Sequence, residues 1–345
     1  MTKYMNVLVT GTDGYIGSVL APYLLKSGFN ITGLDTGFYR SGWLYNNGVS
    51  LYPAYLNKDL RDITPEDLQG YDAVVHLAEL SNDPLGQLNP AITYRINHEG
   101  SVRLANLSKQ CGVGKFIYAS SCSVYGMGNS DYKTEESSVN PQTAYAKCKV
   151  NVERDVGCLA ESGFSPVFLR NATAYGPSPR MRFDVVLNNL AGHACTTGVI
   201  KMISDGMPWR PLVHVMDICK AVRCVLEAPQ SAIHNQIFNV GSTEENYRVR
   251  EIAEIVSGEF PGCNLTVGES GGDNRSYRVS FDKIHNMLPG FSCDYTAKLG
   301  AEELFQLFTK INLDEQTFFS RHFTRLKQLK FLLYTGQVSQ DLYWI

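Results

Sequence analysis

The sequence predicts an α/β fold with a doubly wound parallel sheet, on three observations: short apolar runs alternate with helix-patterned segments, a glycine-rich turn follows the first run, and an acid closes the second. Residues 6–10 read as the first buried strand. They lead into Gly11-x-x-Gly14-x-x-Gly17, after which Ile16, Leu20, Tyr23 and Leu24 recur at helical spacing and Gly28 closes the helix. Residues 31–35 form the second strand and end on Asp35, 24 positions after Gly11. Further strands are expected over residues 50–54, 72–77, 115–120 and 165–170. Helical patterning separates them, as in Val102, Ala105 and Leu107 ahead of Gly112. Ligands of such sheets bind beyond the carboxyl ends of the strands. That rule directs attention to residues 59–62, 76–79, 120–126 and 171–177.

The opening unit carries chemistry of its own. Glycines let main-chain amides approach a pyrophosphate at a helix amino terminus, where unpaired N–H groups and the helix dipole favour negative charge. An acid about 20 residues further on suits the hydroxyls of an adenosine ribose. Asp35 therefore points to NAD, since it would repel a 2′-phosphate, while nearby Arg40 keeps NADP open as the alternative. A glycine motif alone is weak evidence; strand, turn, helix and acid in sequence are stronger.

Composition sets the outer limits. A chain of 345 residues buries a large core, as one large domain or as a main domain with a smaller partner. Its 31 basic residues against 34 acidic ones leave no polycationic face for nucleic acid, so small molecules are the expected ligands. No apolar run reaches the length of a membrane span and the first residues lead straight into a strand pattern, which reads as a cytoplasmic protein without membrane contact. The nine cysteines lack any C-x-x-C pair and the seven histidines stand apart, so neither a disulfide framework nor a metal site is expected.

Tyr145 and Lys149 stand one helical turn apart. On a helix, such residues share a face with about 5–6 Å between them, so the ammonium favours the phenolate and readies the tyrosine for proton transfer. Asn140-Pro141 reads as the helix start, and Val152, Val156 and Leu159 continue an apolar stripe. The same pair also occurs by chance on helices, and its meaning depends on the rest of the chain.

The rest gives it that meaning. In order, Gly11-x-x-Gly14-x-x-Gly17, Asp59-Leu-Arg-Asp62, His76-Leu-Ala78, Asn97, Ser120-Ser-Cys-Ser-Val-Tyr-Gly126, Tyr145-x-x-x-Lys149 and Tyr175-Gly-Pro177 resemble the extended short-chain dehydrogenase/reductase family, in its nucleotide-sugar epimerase and dehydratase group. The likeness spans roughly the first 300 residues. It implies a Rossmann-like doubly wound sheet with a smaller α/β substrate-binding lobe, NAD as cofactor, and hydride transfer at C4 of a nucleotide-diphosphate sugar. The implied cofactor contacts are Gly11, Gly14, Tyr15, Ile16, Gly17, Asp35, Asp59, Leu60, Leu77, Ala78, Asn97, Tyr145 and Lys149. Asp59 and Leu60 would flank the adenine, Asn97 would be structural or a proton relay, and Lys149 would bind the nicotinamide ribose. Ser121 would share the catalytic hydrogen bonding with Tyr145. The implied substrate contacts are Ser81, Ser121, Cys122, Thr173, Asn188, Arg210 and Arg275.

Departures from the family narrow the chemistry. Sugar 4,6-dehydratases carry an Asp-Glu pair directly after the catalytic Ser/Thr, and here those positions hold Cys122 and Ser123. Hydride transfer at one carbon is provided for; loss of water is not. Cys122 reads as a packed thiol pointing away from the site, with a catalytic role as the alternative. Thr173 stands where the family has asparagine, so Asn188 or Asn189 is the candidate for phosphate or base. Arg180 and Arg182 face either phosphate or solvent. In the segment 209–217, Arg210 would grip the diphosphate and Asp217 would cap the next helix, and residues 237–241 would return to the main sheet.

The implied division is a dinucleotide-binding domain at 1–175 plus about 212–242, a nucleotide-sugar lobe at 176–211 plus 243–299, and a helical extension at 300–345. There Leu304, Phe308 and Ile311 mark one amphipathic helix. Phe323, Leu326 and Leu333 mark another, flanked by Arg321, Arg325, Lys327 and Lys330, to be packed on the protein's own body or on a dimer mate. A homodimer is expected from the resemblance. Epimerisation, net oxidation or reduction at C4, and a non-catalytic dinucleotide sensor on the same fold remain distinct outcomes.

Overall fold

The computed structural model describes residues 4–46, 48, 53–81, 83–269 and 275–345. Seven strands make the main sheet: β1 (Asn6–Thr10), β2 (Asn30–Asp35), β3 (Ala54–Asn57), β4 (Ala73–His76), β5 (Lys115–Ser121), β6 (Ser165–Asn171) and β7 (Gln236–Val240). Their order is β3-β2-β1-β4-β5-β6-β7, and every pair is parallel. The order in which strands are added thus reverses between β1 and β4, and the crevice for a ligand opens at that point. β4 is buried at all four positions and β6 at all seven, which explains why these runs are apolar rather than alternating.

Helices cover both faces. On one, Leu20 and Leu24 of the helix Gly17–Lys26 pack with Ile218, Val222 and Val225 of the helix Val215–Glu227; on the other, Leu104 and Val152 pack with Phe116 and Phe168. The helix Ser101–Gln110 is preceded by a wider turn, Tyr94–Gly100, which carries Asn97. The expected strand at 50–54 lies partly outside the described residues, and the strand described there begins at Ala54.

A second core lies beside the sheet, built on the helices Val186–Thr197, Val249–Glu259 and Ala297–Lys310. Phe183, Phe308, Phe318 and Phe323 meet there, with three edge-to-face contacts from Phe183. A small sheet made of Thr173–Tyr175, Trp209–His214 and Asn246–Arg248 connects the two cores. The final helix, Arg325–Tyr334, packs on the protein's own body through Leu329 and Leu332 against Phe38, Leu80, Ile92 and Ile96. No helix of the described residues is long and apolar enough to cross a membrane, and all nine cysteines are free thiols.

Candidate active site

The carboxyl ends of β1, β2, β4, β5 and β6 open into one cleft of about 780 Å³, shared with the second core. Its floor is the glycine turn. Gly11 has φ +79°, a conformation other residues rarely take, and its amide donates to Leu34 O at 2.7 Å. A Cβ on Gly17 would lie 2.1 Å from Gly11 O, so helix and turn close only around a bare backbone. Gly14, Tyr15 and Ile16 line the cleft beside them.

Asp35, 9 % exposed, accepts from the amides of Asp13 (3.0 Å) and Gly37 (2.8 Å). Burial first, and the Asp13 carboxylate second, push its acid up to about 6. Arg40 is held by Asp13 at 3.0 Å and by Asn57 at 3.0 Å, and it also meets Tyr55. Asp59 and Leu60 line the same end of the cleft, where the Asp59 carboxylate forks onto Arg61 at 2.8 and 2.9 Å. Leu77 and Ala78 complete the wall.

Further along stand Tyr145, Lys149 and Ser121. The helix Ala144–Gly157 starts three residues later than Asn140-Pro141 suggests, with Thr143 capping it through the Ala146 amide at 3.2 Å. It carries half-buried Tyr145 and buried Lys149 into the cleft, with the ammonium 5.3 Å from the Tyr145 ring centre. Ser121 ends β5 opposite them, its Oγ accepting from the Ser123 amide at 3.1 Å.

Glu79 lies in a segment the sequence singled out, but its partner was not foreseen. Its carboxylate lies 2.7 Å from the Lys149 ammonium and accepts from the Tyr118 hydroxyl at 2.5 Å, with both members of the ion pair almost fully buried. The lysine also donates to Ala119 O. Burial pulls the Lys149 ammonium down, but the Glu79 carboxylate and Tyr145 more than offset it, so the lysine remains charged. The pairing joins positions 70 apart, which no spacing pattern could show.

Of the expected substrate contacts, Ser81, Ser121, Thr173, Arg210 and Arg275 all line the cleft. Arg210 donates to Trp209 O at 2.8 Å and to Arg275 O, which brings the two arginines together. The stretch 270–274 before Arg275 lies outside the described residues.

Several expectations need correction. Cys122 faces the core at 1 % exposure, outside the cleft lining, with its thiol donating to Arg170 O at 3.1 Å; its packed reading stands and its substrate contact does not. Asn188 is spent on the protein's own groups, accepting from the Gly176 amide at 3.0 Å and donating to Arg182 O at 3.2 Å, and Asn189 is the neighbour that lines the cleft. Asn97 is turned inward to the main chain of Leu80, accepting at 2.9 Å and donating at 3.1 Å, and so shapes the loop that presents Ser81; its structural reading stands and its cofactor contact does not. Asp217 also differs, because His214 caps that helix while Asp217 receives the amides of Asp294 and Tyr295. Arg180 and Arg182 are buried rather than solvated.

The residues present fit a dinucleotide: a glycine cradle that no Cβ could share, a carboxylate at the adenosine end, and an ammonium at the other. Comparison with known proteins agrees. A profile described as the NAD dependent epimerase/dehydratase family matches residues 7–241. A UDP-glucose 4-epimerase of Mycolicibacterium smegmatis is 30% identical over 268 residues, covering 74% of this chain and 82% of that one. Among solved structures, MoeE5 in complex with UDP-glucuronic acid and NAD is 26% identical with a TM-score of 0.76, covering 89% of this chain and 100% of that one. The NAD-dependent NDP-hexosamine 5,6-dehydratase TunA shares the fold, with a TM-score of 0.78 at 22% identity over 89% of this chain and 98% of its own.

Proposed function

This chain belongs to the NAD dependent epimerase/dehydratase family, and from that premise we propose that it is an NAD-dependent enzyme that inverts C4 of a nucleotide-diphosphate sugar. The observation that carries the reading is the joint placement of Tyr145, Lys149 and Ser121 in one cleft with the glycine turn, without a carboxyl pair after Ser121.

Gly11, Gly14 and Gly17 would hold the NAD diphosphate, Asp35 its adenosine ribose, and Lys149 its nicotinamide ribose. Bound NAD supplies an acceptor and then a donor of hydride at the sugar carbon. Tyr145 removes the proton of the C4 hydroxyl as C4 is oxidised and restores it when C4 is reduced from the other face. Ser121 hydrogen-bonds the same oxygen, and the charged Lys149 stabilises the tyrosinate between the two half-reactions. Arg210 and Arg275 hold the substrate diphosphate as paired forks. Dehydration is disfavoured by the same geometry, because the two positions after Ser121 hold a buried thiol and the hydroxyl of Ser123.

Domain limits at 1–175 plus about 212–242, at 176–211 plus 243–299, and at 300–345 belong to this reading, as do a cytoplasmic location and a homodimer. The experiment offers UDP-, GDP-, dTDP- and CDP-sugars deuterated at C4 to wild type and to Tyr145→Phe. Inverted product that keeps the label is expected from wild type, with turnover falling by about 10²–10⁴-fold in the variant. Equal rates in both proteins would remove Tyr145 from the mechanism, and label lost to free cofactor would replace epimerisation by net redox.

A further inference from the structure

The last residues of the chain do more than cover the body, because they meet both loops at the adenosine end of the cleft. Gln328 Nε2 donates to Phe38 O at 3.0 Å and Trp344 Nε1 to Thr36 O at 2.7 Å, which fixes the loop that directly follows Asp35. On the other side, Arg61 holds Asp59 and donates to Asp341 O at 2.6 Å and Leu342 O at 3.0 Å, with its guanidinium 3.7 Å from the Tyr343 ring centre. Leu329, Leu332, Val338 and Leu342 are buried against Phe38, Leu80, Ile92 and Ile96. The segment forms a strap across the two loops.

At its base, Thr324, Arg325 and Leu326 line the cleft itself. Arg325 is 2 % exposed, donates to Arg180 O at 3.2 Å and lies 4.4 Å over the Tyr39 ring. Arg180 is 1 % exposed; its Nε and Nη1 have no hydrogen-bond partner among the described residues. Neither guanidinium forms an ion pair among the described residues. The carboxylates around them are already engaged: Asp184 by Arg182 at 2.8 Å, Asp13 by Arg40 at 3.0 Å, and Asp35 by two main-chain amides. Burial, joined for Arg325 by the Arg182 charge, lowers both groups to about 10. Buried charge without a counter-ion is costly. Two such arginines beside Asp35 and the glycine turn need an anion, and the guanidinium fork matches a diphosphate.

We propose that the carboxy-terminal segment is part of the cofactor site: Arg325, backed by Arg180, supplies counter-charge to the dinucleotide diphosphate, and the strap from Gln328 to Trp344 fastens the loops around its adenosine. This rests on the reading of the cleft as an NAD site. A second diphosphate, that of the sugar nucleotide, enters the same cleft, and the charge of Asp35 felt by Arg325, with those of Asp13 and Asp35 felt by Arg180, assigns Arg325 to the cofactor's.

The test titrates full-length wild type and Arg325→Gln with ADP-ribose and, separately, with UDP, by calorimetry after thermal melting has shown both proteins folded. ADP-ribose affinity is expected to fall by about tenfold or more, with UDP affinity unchanged. Unchanged ADP-ribose affinity, or a loss confined to UDP, would overturn the proposal. Trp344→Ala serves as the second variant, since it removes one anchor at a half-exposed position. Release of bound NAD, followed by stopped-flow displacement, is expected to quicken by about fivefold or more; a rate equal to wild type would overturn the strap even if Arg325→Gln failed to fold. The epimerase reading is judged by sugar inversion in wild type, so the two fail by different measurements.

Discussion

Asp35 shows what burial does to one residue's chemistry. Its acid is raised to about 6, so below that pH the carboxylate of the free protein takes up a proton and could no longer accept from both hydroxyls of the ribose proposed to bind there. NAD affinity is therefore expected to be flat above about pH 7 and to fall by up to tenfold per unit below about pH 6, with the dependence lost in Asp35→Asn; calorimetry from pH 5 to 8 decides it. Glu79 gives the opposite case, a charge whose value lies in its partner. Glu79→Ala would leave the Lys149 ammonium buried without its carboxylate, at an expected cost of about 3–5 kcal/mol in urea unfolding. Sequence exposed Tyr145, Lys149 and Asp35 because their spacing is local, within one helical turn or one strand-turn-helix unit. The roles of Glu79 and Arg325 stayed hidden, since they arise only when distant segments are buried together, and for Arg180 the sequence left phosphate and solvent both open. Cys122 and Asn188 show the converse, since a motif position named them and the fold turned both inward.

Among elements, the glycine turn is the least tolerant. Gly17→Ala would set a methyl 2.1 Å from Gly11 O, so the turn must open and withdraw its amides from the diphosphate. Loss of NAD binding is expected with most of the fold retained, which dye-free fluorescence titration and circular dichroism would separate. Strands β4, β5 and β6 were legible because burial makes their centres, residues 73–75, 116–119 and 167–169, continuous apolar runs. Helix ends were read less well. Thr143, not the Asn140-Pro141 turn, caps the helix of Tyr145, and His214 takes the cap position expected of Asp217, because capping is decided by which oxygen reaches an orphan amide.

At the scale of the molecule, the cleft is walled by the main sheet, the second core and the carboxy-terminal segment together. A ligand held by all three stabilises them as one unit, and NAD at a hundredfold excess over its Kd is expected to add about 2.7 kcal/mol, seen as a single melting transition displaced upward. Two separate transitions with only one moving would show that the parts unfold independently. The alternation of strands and helices made the main sheet readable, whereas the final segment has only an amphipathic pattern, which says that a face is buried but not against what. The Trp344–Thr36 bond joins positions 308 apart. During synthesis the sheet, the glycine turn and the helix of Tyr145 therefore leave the ribosome before the strap, which at about 5–20 residues per second follows the last sheet strand after roughly 5–20 seconds. The order of synthesis thus leaves the loops after Asp35 and Asp59 without their carboxy-terminal partners until the last residues of the sequence have been made.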